Sequence, residues 1–132
     1  MLKLENDHMC FVCGEKNNIG LKLNFETKNR KTSAVFIPKK EHQGYRDIVH
    51  GGILSTILDE AMTRLGWQLG LNTVTAKIEV NFRKPAHVGE KLFLEGEIID
   101  EKEKKVFAKS KLMKGDGTLI ADAEGILVKL KR

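Results

Sequence analysis

The residues best equipped for chemistry run from His50 to Met62. His50-Gly51-Gly52 opens a strongly helical stretch, and the acidic pair Asp59-Glu60 sits two turns into it. A glycine turn at a helix start presents unpaired backbone N–H groups at the positive end of the helix dipole, where developing negative charge is stabilised. A carboxylate two turns on offers a general base or a nucleophile. Together they suit acyl transfer or hydrolysis.

Spacing constrains how the two could cooperate. Gly51 and Asp59 are eight residues apart, which is about 12 Å of helix rise. An oxyanion donor and a base must each lie within about 3 Å of their reacting atoms. The backward lean of a helical side chain recovers only part of that gap. Two antiparallel helices across a two-fold axis would bring Gly51 of one protomer near Asp59 of its partner. The spacing therefore predicts a site shared between subunits, with two sites per dimer.

The element that carries these residues is legible. Leu54, Ile57, Leu58, Ala61 and Leu65 form one apolar stripe over Gly51–Leu69, with Gly70 and Asn72 suited to the stop. Asp59 shares a face with Ser55, Thr56, Met62 and Thr63. That face is small and half-polar, fit for a substrate cleft or a partner helix. Glu60 lies about 100° further round.

Strands surround the helix. Leu21, Leu23 and Phe25 alternate with Lys22, Asn24 and Glu26 as a first strand, and Lys31 to Pro38 reads as a second. Lys39 to Val49 reads as a loop. In Thr73–Arg83, Val74, Ala76, Ile78, Val80 and Phe82 point one way, and Thr73, Thr75, Lys77, Glu79, Asn81 and Arg83 the other. Glu90–Ile99 and Val106–Met113 are joined by a charged turn, and Gly115-Asp116-Gly117 makes a hairpin into Thr118–Lys131. Apolar residues there fall at 119, 121, 123, then 126, 128, 130, a slip that predicts a β-bulge near Gly125. The expected architecture is one α+β domain over 1–132: a long central helix wrapped by a curved, mainly antiparallel sheet of about six strands. One helix cannot cover such a sheet, and its edges need protection, so association into a dimer or a dimer of dimers is expected.

Composition narrows the classes of partner. Of 132 residues, 41% are hydrophobic and 31% charged, a globular balance. No apolar run reaches the length of a membrane span, and Met1 to Asp7 lack the apolar core of a signal peptide. A cytoplasmic protein without a membrane partner is expected. The net charge is +5, but the lysines are scattered along strands. With one Tyr and one Trp, platforms for stacking bases are scarce, so no nucleic-acid partner is expected. Cys10-x-x-Cys13 has only His8 nearby, with His42 or a partner chain needed for a fourth ligand. The strand-then-helix context of a redox motif is absent. Two reduced cysteines packing an N-terminal turn, with no metal and no bound cofactor, is the expectation.

Taken together, His50-Gly51-Gly52 with Asp59, Asn81-Phe82-Arg83-Lys84-Pro85-Ala86 and Gly89-Glu90 resemble the hotdog-fold acyl-CoA thioesterases of the PaaI-like group. Cys10-Phe11-Val12-Cys13-Gly14, Asn18-Ile19-Gly20-Leu21 and His42-Gln43-Gly44-Tyr45 resemble signatures of one branch of it. The resemblance covers nearly the whole chain. It implies a hotdog fold and hydrolysis of an acyl-CoA thioester. It implies Asp59 as general base or nucleophile, Gly51 as the backbone donor to the thioester carbonyl, and Thr75 where relatives carry a serine that orients water. Relatives often have an asparagine six residues before the histidine. This chain has Gly44 there, which leaves Gln43 as the neighbouring side chain to substitute.

His50, Gly52, Glu60, Met62, Arg83 and Lys84 are the candidates to contact substrate. Each also has a plainer reading: a helix cap, a tight turn, a solvated or paired charge, a packing side chain. Two other functions stay open at this stage. One is a non-catalytic acyl-CoA binder or sensor; the other is a hotdog hydratase or dehydratase pairing His50 with an acid.

Overall fold

A seven-residue stripe on one helix decides the architecture. In a computed structural model, which describes residues 4–130, the helix α1 spans Gly51–Gln68. It buries Leu54, Ile57, Leu58, Ala61, Met62, Leu65 and Gly66 on one side. Against that side lies a sheet of six strands: β1 (Glu26–Lys28), β2 (Lys31–Phe36), β3 (Thr73–Phe82), β4 (Leu92–Lys102), β5 (Lys105–Lys114) and β6 (Leu119–Lys129). The order across the sheet is β1-β2-β4-β5-β6-β3, and every neighbouring pair is antiparallel. Helix and sheet form two layers, as expected.

The inner sheet face supplies Ala34, Phe36, Leu92, Leu94, Ala108, Leu112, Ala121 and Ala123 to one continuous core with α1. Two features bring helix and sheet unusually close. A Cβ on Gly96 would lie 2.5 Å from the Ala61 carbonyl oxygen, so only glycine fits there. The buried Ser110 hydroxyl donates to the Leu58 carbonyl at 2.8 Å. The outer sheet face is charged at its centre, where Lys31, Glu97 and Lys109 pair across three strands and Lys111 pairs with Glu95.

The sequence expectations need three corrections. The alternating Leu21–Phe25 segment is not in the sheet. It runs against the N-terminal turn, with the Leu21 N–H donating to the Phe11 carbonyl and the Leu23 N–H to the Val12 carbonyl. Only Glu26–Lys28 pairs as β1. The loop before α1 holds a single 3-10 turn, Lys40–His42. In β6 no slip occurs at Gly125: Ala121, Ala123, Gly125 and Leu127 are all buried, and Ile126 and Val128, on either side of Leu127, lie on the other face. Gly125 keeps the inner phase because the Met62 thioether fills its place, 2.9 Å from where a Cβ would be. Lys131, the expected last residue of that strand, lies outside the described residues.

Candidate functional site

The register of β6 slips at Ile120 rather than at Gly125, and a further bulge falls in β3. Thr75 pairs with Leu127 and Lys77 with Ile126, leaving Ala76 as the extra residue. A strand side chain changes face at every step, so one extra residue reverses the phase. Thr73 and Thr75 therefore share the inner face with Ile78 and Val80, although the sequence alternation set them on opposite faces. The trace in the sequence was the switch of phase itself: polar threonines at 73 and 75, apolar residues at 78, 80 and 82.

Turned inward, the Thr75 hydroxyl donates to Asp59 Oδ1 at 2.6 Å. A short bond to a carboxylate is charge-assisted and fixes the rotamers of both side chains. Asp59 is half-buried, and among the described residues its Oδ2 has no partner. Neighbouring hydroxyls do not compete for it. Thr56 donates to the Gly52 carbonyl at 2.7 Å and Thr63 to the Asp59 carbonyl at 3.3 Å.

At the helix tip, His50 is the N-cap. Its Nδ1 accepts the Gly52 N–H at 2.8 Å, and its carbonyl accepts from Ile53 and Leu54. Among the described residues, the Gly51 N–H is left without an acceptor. Of the two glycines, Gly51 is thus the available donor, and Gly52 belongs to the cap. The Phe82 ring packs beside Gly51, 3.6 Å from where a Cβ would be. The helix tip therefore stands at the far end of β3 from Thr75.

The other predicted residues are placed differently. Gln43 Oε1 accepts the Asp47 N–H at 3.0 Å and closes the turn before the helix. Met62 is fully buried against Gly125. The Arg83 guanidinium is held by Asp122 at 3.0 Å, and Lys84 is exposed. Glu60 turns away from the Asp59–Thr75 pair: its Oε2 accepts from the Cys10 thiol at 3.5 Å. Burial pushes the Glu60 carboxyl above its ordinary range despite bonds from Cys13 and Cys10 and the nearby Arg64 charge. Burial and the Glu60 carboxylate push the Cys13 thiol up as well. The contact between Cys10 and Glu60, 50 residues apart, had no local signal in the sequence.

Comparison with known proteins adds an independent line. A family model described as the thioesterase superfamily matches residues 47–121. No curated protein matches the chain. Among solved structures, a thioesterase superfamily protein superposes with a TM-score of 0.88 at 21% identity, over 92% of this chain and 61% of that one. A hypothetical thioesterase from Streptococcus pneumoniae, solved with coenzyme A, gives 0.78 at 18% identity, over 83% and 87% of the two chains. PaaI from the phenylacetic acid degradation operon of E. coli gives 0.77 at 14%, over 83% and 84%. The Streptococcus pneumoniae protein was also solved with an aspartate and, separately, a threonine sixteen residues further on replaced by alanine.

Proposed function

The chain belongs to the thioesterase superfamily and has the hotdog fold, and from that premise we propose that it hydrolyses acyl-CoA thioesters at a site shared by two protomers. One observation carries this reading. Asp59 and Thr75 stand at the start of β3, the free Gly51 N–H and Phe82 at its end, and β3 is an open edge of the sheet. An uncovered strand of 10 residues invites a second chain. Pairing two such strands antiparallel sets the start of one against the end of the other. Each Asp59 then faces the partner's Gly51, which overcomes the ~12 Å that separates the two groups along one helix.

In the reaction, the Gly51 N–H binds the thioester oxygen as it gains negative charge. Thr75 holds Asp59 by Oδ1, so Oδ2 is free to take the proton from a water, or to attack the carbonyl itself. When water attacks, the oxyanion adduct collapses with cleavage of the C–S bond to the acid and coenzyme A, which leaves as the thiol after taking up a proton. When Asp59 attacks, the same loss of thiol leaves an acyl–Asp59 anhydride that water then hydrolyses to the acid and free Asp59. Several observations support this reading: neighbours solved with coenzyme A or acetyl-CoA, and the aspartate–threonine spacing of sixteen in the Streptococcus pneumoniae protein, which is also the spacing of Asp59 and Thr75. Lys84, exposed just past the end of β3, supplies positive charge for the phosphates of coenzyme A.

Complementation tests both the reaction and the sharing. Gly51→Pro removes the amide N–H at the first helical position, where proline is tolerated, and Asp59→Ala removes the carboxylate. Each variant alone should release little thiol from a panel of acyl-CoA esters. Mixed protomers should recover about a quarter of wild-type turnover, because half the dimers are mixed and each has one intact site. No recovery would refute the shared site. Tight acyl-CoA binding by the wild type without turnover would make the protein a binder instead.

A further inference from the structure

The N-terminal turn is built more tightly than packing requires. Its backbone closes with the Gly14 N–H donating to the Cys10 carbonyl at 2.8 Å. The Val12 N–H donates to Cys10 Sγ at 3.4 Å. Gly14 is obligatory, since a Cβ there would lie 2.3 Å from the Cys10 nitrogen. The turn gathers both sulfurs on one side, and α1 brings Glu60 to the same place. One donor atom each from Cys10, Cys13 and Glu60 lies within 4.8 Å of the other two, and all three residues are half-buried.

We propose that Cys10, Cys13 and Glu60 form a binding site for a thiophilic divalent cation, zinc foremost, which clamps the N-terminal turn to α1. Thiolates select zinc over magnesium or calcium. With Zn–S near 2.3 Å and Zn–O near 2.1 Å, two tetrahedral ligands of these types stand about 3.6 Å apart. Cys10 Sγ and Glu60 Oε2 are already 3.5 Å apart, and Cys13 Sγ, within 4.8 Å of both, closes in on binding. On binding, each thiol loses its proton to solvent, and the Val12 N–H strengthens as a donor to a thiolate. Two thiolates and a carboxylate exceed the charge of the cation by one. Arg64, one helical turn beyond Glu60, meets that excess; its Nε is buried without a partner among the described residues. Water completes a four-coordinate shell, an arrangement zinc accepts with three protein ligands. The sequence supplied only the two cysteines; the third donor comes from the fold.

Cobalt(II) is the direct probe. Added to the reduced, metal-free full chain, it should produce a thiolate-to-cobalt charge-transfer band that saturates at one ion per chain and is displaced by zinc. Cys13→Ser should abolish the band. Glu60→Gln, which leaves both sulfurs and the side-chain shape in place, should weaken cobalt affinity at least about tenfold. Zinc should raise the unfolding temperature of the wild type and not of Glu60→Gln. Absence of the band overturns the site. A band whose affinity is unchanged by Glu60→Gln also overturns it, because two sulfurs alone would not clamp the helix. A Cys10–Cys13 disulfide that persists under mild thiol reductant overturns it in favour of a redox pair. None of these readouts uses thioester hydrolysis, so this site and the proposed activity stand or fall separately.

Discussion

The Thr75 hydroxyl and the Asp59 carboxylate are 2.6 Å apart, and they meet only because β3 carries one residue too many at Ala76. In the proposed reaction Thr75 is a positioning residue, acting through Asp59. Thr75→Val keeps the shape and loses the hydroxyl, and kcat should fall roughly 10- to 100-fold with KM little changed. Thr75→Ser should restore most of the rate. Equal loss in both variants would assign the residue to packing.

Asp59→Ala should lower turnover of acyl-CoA by about 10²–10⁴ if the carboxylate acts as base. Thiol release with a coloured disulfide reagent measures it. Activity left intact would remove Asp59 from the mechanism.

Gly51→Ala keeps the amide N–H that Gly51→Pro removes. The alanine Cβ has room, at ordinary contact distance from the Phe82 ring, and keeps the N–H. Gly51→Pro should cost about 10²–10³ in kcat, the usual loss for one oxyanion donor, while Gly51→Ala stays near wild type. Similar rates for the two would show that the amide does not bind the oxyanion.

Two inward glycines make opposite demands. Gly96→Ala drives a Cβ against the Ala61 backbone at 2.5 Å, whereas Gly125→Ala meets the movable end of Met62 at 2.8 Å. Overpacking costs about 1–3 kcal/mol, and Gly96→Ala should sit at the upper end, Gly125→Ala at the lower. Urea unfolding ranks them; the reverse order would contradict the packing described.

Arg30 at 2.6 Å and Lys129 at 2.9 Å hold the Glu101 carboxyl below its ordinary value of 4.5. A lowered carboxyl adds stability above its unfolded pKa and loses it as pH falls through the folded one. The wild type should therefore be more stable than Glu101→Gln at neutral pH, and the gap should close below pH 4.5. A gap independent of pH would mean that the ion pairs are idle.

Periodicity exposed most of the fold. The helix runs Gly51–Gln68, one residue short of the expected end, because its apolar stripe and the Gly70 stop are both local signals. Asp59 and Gly51 were legible for the same reason. The strands were less so. Apolar does not mean inward in β6: Ile126 and Val128 face outward while Gly125 faces in. A glycine carries no hydropathy to mark its side. Thr75 faces inward against the sequence alternation because a bulge shows in sequence only as a phase change, and no glycine or proline marks the one at Ala76. The Cys10–Glu60 contact depends on how the N-terminal turn folds across the helix, which no short-range pattern encodes.

Ser110 grips the helix at Leu58, and Gly96 lets the sheet touch it at Ala61. Asp59 lies between these two anchors. Walls enclosing an acyl group would come from the other side of the helix, where Ser55, Thr56 and Thr63 stand half-buried, and from the neighbouring protomer. A lineage can reshape those walls residue by residue while the carboxylate keeps its coordinates. On the proposed reading, substrate preference and chemical competence are thus separately heritable in this scaffold.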